Sequence, residues 1–267
     1  MIFSYALLSQ NNTEALNVLS GGTPRAAIID QLDYDIPNPS FQTQARQYLE
    51  TAGYEVDLFT TQNVTVDFYK KLPSMNYQYI VIRSHAVSDK NYDQPVTLFT
   101  GERYTTDKYI SEQLFGQLKR GTPTLERAIL AKGENYSNWI KVNDTYSYMK
   151  AEATISEKSE DFFLITPKLV DELMVGKFPK STILLGGCST LANPSMAESL
   201  IKRGASQIVG WSDFVSSSDN DWLLLKVLQL DLLYDQETED AVRYAQEVYR
   251  TNPIWPATMK FYSEKNL

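Results

Sequence analysis

The chain has 267 residues, 43% hydrophobic and 22% charged, an ordinary globular balance that suits one large domain or one domain with an insertion. A formal charge of −8, with basic residues scattered and Lys202–Arg203 the densest pair, argues against a nucleic-acid-binding surface. One cysteine excludes an internal disulfide, and one cysteine with one histidine argues against structural zinc, so no metal or cofactor is expected.

Residues 1–22 end in Gly21-Gly22 before Pro24 and read as an N-terminal extension. Met1 to Leu8 is apolar but too short to cross a bilayer, and it lacks a basic start. Neither a membrane span nor a signal peptide is expected there, a pattern that suits a cytoplasmic or an extracytoplasmic protein alike. An α/β domain is expected over 23–250, with an insertion over 90–161 and a C-terminal tail over 251–267.

Ala26-Ala27-Ile28-Ile29-Asp30 is a short apolar run that predicts a strand buried on both faces. Asn38-Pro39-Ser40 starts a helix that carries Phe41, Ala45, Tyr48 and Leu49 and stops at Gly53. Tyr54 to Phe59 alternates as a strand, Val66 to Leu72 is a short helix, and Tyr79-Ile80-Val81-Ile82 is a third strand with His85 just past its end. In the insertion, Val96 to Phe99 predicts a strand, Tyr104 to Leu118 a helix, and Trp139 to Ile155 a strand-like hairpin rich in Tyr, Val and Thr.

The α/β pattern is expected to resume with a strand at Phe162 to Ile165 and a helix from Pro167 to Leu173. Ser181 to Leu185 predicts another buried strand, ending in Gly186-Gly187-Cys188. A helix from Pro194 to Lys202 stops at Gly204, a strand follows at Gln207 to Trp211, and helices are expected at Trp222 to Leu233 and around Glu239 to Arg250. Strands alternating with helices imply a mostly parallel sheet covered on both faces.

In such sheets ligands bind at the carboxyl ends of the strands, and the only His and the only Cys both fall there. A thiol beside an imidazole is the minimum equipment for nucleophilic catalysis. Taken singly, Cys188 also reads as a small buried hydrophobe and His85 as an ordinary cap. Chain order narrows the chemistry. Papain-like enzymes and glutamine amidotransferases place Cys before His, whereas here His85 comes first. The tyrosine-phosphatase loop needs Arg where Pro194 stands, and the G-x-S-x-G elbow needs Gly where Thr190 stands.

Ile80-Val81-Ile82-Arg83-Ser84-His85 and Ile183-Leu184-Leu185-Gly186-Gly187-Cys188-Ser189-Thr190 resemble the two signature blocks of the caspase-like (clan CD) cysteine peptidases. With Gly204-Ala205-Ser206 and Ile208-Val209-Gly210-Trp211 following, the chain is most similar to CHAT-type and gingipain-like members. The resemblance spans residues 24 to about 250, apart from the insertion. It implies a caspase-like three-layer sandwich and a thiol protease acting on a polypeptide. Cys188 is then the nucleophile and His85 the general base and acid. Backbone N–H groups at Ala86, Gly187 and Cys188 hold the oxyanion. Trp211, Ser212, Asp213 and Arg83 line the substrate pocket. Asp213 there suits a basic residue before the scissile bond, unless Arg83, two residues before His85 on the same strand face, pairs with it. The chain departs from the family at Ala86, where most members carry Gly. That departure and the large insertion favour the alternative of an inactive binding or regulatory module; ligation by the same dyad is a third reading.

Overall fold

The computed structural model describes residues 22–88, 95–105, 107–109, 130–134, 161–249, 255 and 257–267. Its centre is a six-stranded sheet made of β1 (Arg25–Asp30), β2 (Glu55–Thr60), β3 (Tyr79–Arg83), β8 (Thr182–Gly186), β9 (Gln207–Trp211) and β10 (Met259–Ser263). The order is β10-β9-β8-β3-β1-β2, parallel throughout except for β10. The strands predicted at Ala26–Asp30, Tyr54–Phe59, Tyr79–Ile82, Ser181–Leu185 and Gln207–Trp211 therefore form, and the α/β class holds.

Side chains alternate across each strand, and the two sets of apolar residues feed two cores. Ala27 and Ile29 of β1, Ile80 and Ile82 of β3 and Ile183 and Leu185 of β8 pack on one face. That face is covered by α2 (Val66–Lys71), α3 (Pro167–Glu172) and α4 (Ser195–Lys202). Ala26, Ile28, Val81 and Leu184 point the other way, against α1 (Pro39–Thr51), α5 (Ser217–Tyr234) and α6 (Thr238–Val248). Continuous apolar runs are what a sheet buried on both faces requires.

Helix starts follow their local chemistry. Asn38 accepts the Phe41 N–H at 3.0 Å with Pro39 as the first helical residue, and Thr65, Thr166 and Ser216 cap α2, α3 and α5 in the same way. Helix α5 begins at Ser217, five residues before the predicted Trp222, because the Ser216 cap sets its start.

The insertion and the segments flanking it form a separate antiparallel sheet, ordered β4-β5-β7-β6, from β4 (Ala86–Val87), β5 (Thr97–Arg103), β6 (Leu130–Glu134) and β7 (Asp161–Ile165). This corrects one expectation. The run Phe162 to Ile165 does not resume the parallel sheet; it lies between β5 and β6. The helix predicted from Tyr104 is also not seen where the chain is described: Tyr104, Thr105 and residues 107–109 are not helical, and Tyr109 has a left-handed φ of 52°. Tyr104 and Tyr109 instead pack on Phe163. The hairpin expected over Trp139 to Ile155 and the extension over 1–21 lie outside the described residues.

The segment read as a tail adds strand β10, with Phe261 opposite Val209 in antiparallel register. Among the described residues no helix is long and apolar enough to cross a membrane.

The opposite, amino-terminal edge of the sheet carries a polar cluster. Tyr79 donates to Asp231 Oδ2 at 2.7 Å, and the Thr238 hydroxyl lies 3.1 Å from the same oxygen and 2.6 Å from Gln207 Oε1. Burial pushes the Asp231 carboxyl up to about 6, with Glu237 and Asp235 acting in the same direction. A carboxyl raised in the folded state holds its proton when the unfolded chain has lost it, so its contribution to stability is full below pH 4 and lost as pH rises through about 6. Asp231→Asn should flatten this part of the profile. Denaturant midpoints at pH 4 and pH 7 for both proteins measure it; equal pH dependence in the two would refute the assignment.

Candidate active site

Strands β3 and β8 are parallel neighbours whose last register pair is Arg83 with Gly186. The Ser84 N–H continues the ladder onto the Gly186 carbonyl at 2.8 Å. Two residues beyond that register pair stand His85 on one strand and Cys188 on the other. Adjacent strands lie about 4.8 Å apart, so both residues follow the carboxyl ends of neighbouring strands at the same edge of the sheet.

The turn into Cys188 depends on glycine. Gly187 has a φ of 147°, and a Cβ there would lie 1.9 Å from the Ser84 carbonyl oxygen. Ser189 is also left-handed, at 57°. The backbone can pass beneath the His-bearing segment only without a side chain at 187. Gly187→Ala is expected to cost about 2–3 kcal/mol from strain and displacement. Urea denaturation tests it, and a loss below about 0.5 kcal/mol would contradict the close approach.

His85 is held by its ring and its main chain. Nε2 lies 2.8 Å from Asp35 Oδ2, and the Asp35 side chain is only 4% exposed. A carboxylate only accepts, so Nε2 carries a proton, and in the neutral imidazole Nδ1 is the nitrogen with the free lone pair. The ring meets the edge of Phe99 at 5.7 Å, and the His85 carbonyl accepts the Phe99 N–H at 3.0 Å. Asp35 directly follows the 3-10 turn Gln31–Tyr34 at the end of β1. Sequence reasoning did not single it out; the available signal was its place past a strand that ends at the same sheet edge.

Cys188 Sγ donates to the Val215 carbonyl at 3.4 Å. Burial pushes the thiol above its usual range, and the Asp213 carboxylate acts in the same direction. The turn is zipped onto the end of β9: Ser189 N–H donates to Asp213 O at 2.9 Å and Leu191 N–H to Trp211 O at 2.8 Å. Thr190 Oγ1 accepts the Trp211 N–H at 2.9 Å and donates to the Leu185 carbonyl at 2.9 Å.

Ala86 sits in β4, opposite Leu98, with no left-handed backbone. The bond from Phe99 N–H to His85 O flanks the Ala86–Leu98 pair on the side where the two strands hydrogen-bond. Antiparallel ladders alternate, so the Ala86 N–H points away from β5. The methyl group that separates Ala from Gly needs no special conformation here.

The four expected pocket residues part company. Ser212 and Asp213 lie on the loop after β9, where Ser212 Oγ accepts the Thr258 N–H at 2.9 Å and Asp213 Oδ1 accepts the Phe214 N–H at 2.6 Å. Trp211 is fully buried, its indole N–H on Asn220 Oδ1 at 2.9 Å, and so packs into the α5 face rather than lining an open pocket. Arg83 is corrected too. Its guanidinium binds Asp221 through Nε at 2.7 Å and Nη2 at 2.9 Å, and Asp30 through Nη1 at 3.0 Å, instead of Asp213. Asp30 is the register partner of Arg83 across β1 and β3, which the sequence alone does not align. Arg83 is 0% exposed, so it anchors α5 beneath the site and is not a surface for substrate.

No protein-family model matches the chain, and no curated protein matches it. The chemistry is thus read from the geometry: a thiol at a tight glycine turn, an imidazole with one nitrogen oriented by a carboxylate, and a carboxylate near the thiol.

Proposed function

We propose that the chain is a caspase-like cysteine endopeptidase in which Cys188 is the nucleophile, His85 the general base and acid, and Asp35 the residue that orients the imidazole. The observation that carries this reading is that His85 and Cys188 each stand two residues past the last register pair of two adjacent parallel strands, with Nε2 of His85 engaged by Asp35. Nδ1 takes the thiol proton, and sulfur attacks the scissile carbonyl carbon. The protonated imidazole then gives its proton to the leaving amine as the C–N bond breaks, and water hydrolyses the resulting thioester. The Ala86 N–H, directed away from β5, and the N–H groups of the Gly187-Cys188 turn are the candidate oxyanion donors. Asp213, close enough to the thiol to raise it, suits a basic side chain before the cleaved bond.

The test is labelling by a peptidyl acyloxymethyl ketone that ends in Arg or Lys, with Cys188→Ala as the blank. Labelling that requires Cys188 and favours basic over acidic peptides is expected. A folded, reduced protein that never labels would sink the proposal.

One observation favours a second reading, a non-catalytic caspase-like module: the thiol is partly buried and donates to Val215 O rather than standing open. Peptide binding that persists in Cys188→Ala, with no turnover by the wild type, is what that reading expects.

A further inference from the structure

We infer that Gln31 is a positioning residue for His85, fixing the imidazole by holding the main-chain N–H of the same residue; this rests on the dyad proposed above. Gln31 is 1% exposed, and its Oε1 accepts the His85 N–H at 3.0 Å and the Ser84 hydroxyl at 3.3 Å. The His85 N–H lies past the last pair of the parallel ladder, where a strand no longer supplies its acceptor. An amide in that setting must find another partner or stay orphaned.

The same short turn does two things. Its first residue, Gln31, takes the backbone of His85, and Asp35, the residue that follows it, takes the ring. With the His85 carbonyl on Phe99, the residue has three tethers at N–H, C=O and Nε2. The turn is itself fixed, since the Thr61 hydroxyl donates to the Gln31 carbonyl at 3.0 Å. Loss of the Gln31 acceptor frees the segment that carries the ring, and the ring leaves Asp35.

The chain has one histidine, so every imidazole resonance in a ¹⁵N-labelled sample belongs to His85. In the neutral imidazole of the wild type, the ¹⁵N shifts are expected to show a protonated Nε2 and an unprotonated Nδ1. Gln31→Met keeps the length and removes the acceptor. It should move the two shifts toward a tautomer mixture and lower kcat about tenfold or more, with KM little changed. Gln31→Glu keeps an oxygen acceptor and should retain the wild-type tautomer. Wild-type shifts in a folded Gln31→Met protein would overturn the inference. If that variant does not fold, Thr61→Val, which releases the turn from its other side, decides by the same shifts. A wild type without turnover whose shifts still respond to Gln31→Met would overturn the peptidase reading and uphold the positioning role.

Discussion

Cys188→Ala should reduce peptide turnover by at least about 10⁴-fold, because in the proposed mechanism the acyl bond forms on the Cys188 sulfur. His85→Ala is expected to fall nearly as far, and the double variant little further, since nucleophile and base act as one unit. Asp35→Asn is the more discriminating change. A carboxamide can turn its NH₂ toward Nε2 and so favour the tautomer with the proton on Nδ1, where it cannot accept the thiol proton. A loss of about 10²–10⁴ in kcat follows, with KM close to the wild type. Steady-state kinetics on a peptide with Arg or Lys before the cut measures all four variants against the wild type. An Asp35→Asn enzyme as fast as the wild type would remove Asp35 from the mechanism.

Arg83→Met should be the most damaging of the structural substitutions, by about 3–5 kcal/mol. The guanidinium is buried between Asp30 and Asp221, and its removal leaves two carboxylates in the interior without their cation. Burial already raises the Asp30 carboxyl with Arg83 present. In the variant both acids take up protons to escape the buried charge, so the deficit should shrink as pH falls. The linkage sign is that of a raised folded-state carboxyl: its contribution is present at low pH and lost as pH rises. Guanidinium denaturation at pH 5 and pH 8 checks both claims. Arg83→Lys should recover only part of the loss, because one ammonium cannot reproduce bonds from three nitrogens. A variant within about 1 kcal/mol of the wild type at pH 8 would contradict the account.

The inner parallel strands β1, β3, β8 and β9 were readable because each is built on a short apolar run, the mark of burial on both faces, and the edge strand β2 because it alternates. The same mark misled at Phe162 to Ile165. Those residues are buried, but an apolar run does not say which strand it pairs with, and this one serves the second sheet. The β10 sequence Met259 to Ser263 is mixed and follows Pro253 and Pro256, so its pairing with β9 is decided by tertiary contacts rather than by pattern.

At the candidate site, His85 and Cys188 were legible because they are the only residues of their kinds and each ends a strand. Asp35 and Gln31 were not, since chain separation of about fifty residues hides which acids and amides reach an imidazole. Arg83 was assigned the wrong acid for a related reason. Its partners lie across the strand register and on a helix packed from outside, and neither relation is written in local spacing.

Strand β10 has a mechanical consequence. Ser212 on the loop beside Cys188 is tied to Thr258 by three contacts, one residue before β10 begins: its N–H donates to the Thr258 carbonyl at 2.9 Å, its Oγ accepts the Thr258 N–H at 2.9 Å, and the two hydroxyls lie 3.1 Å apart. The loop whose Val215 carbonyl accepts the Cys188 thiol is thereby tied to the segment that leads into β10, so a shift of β10 along β9 would be passed to the thiol's surroundings.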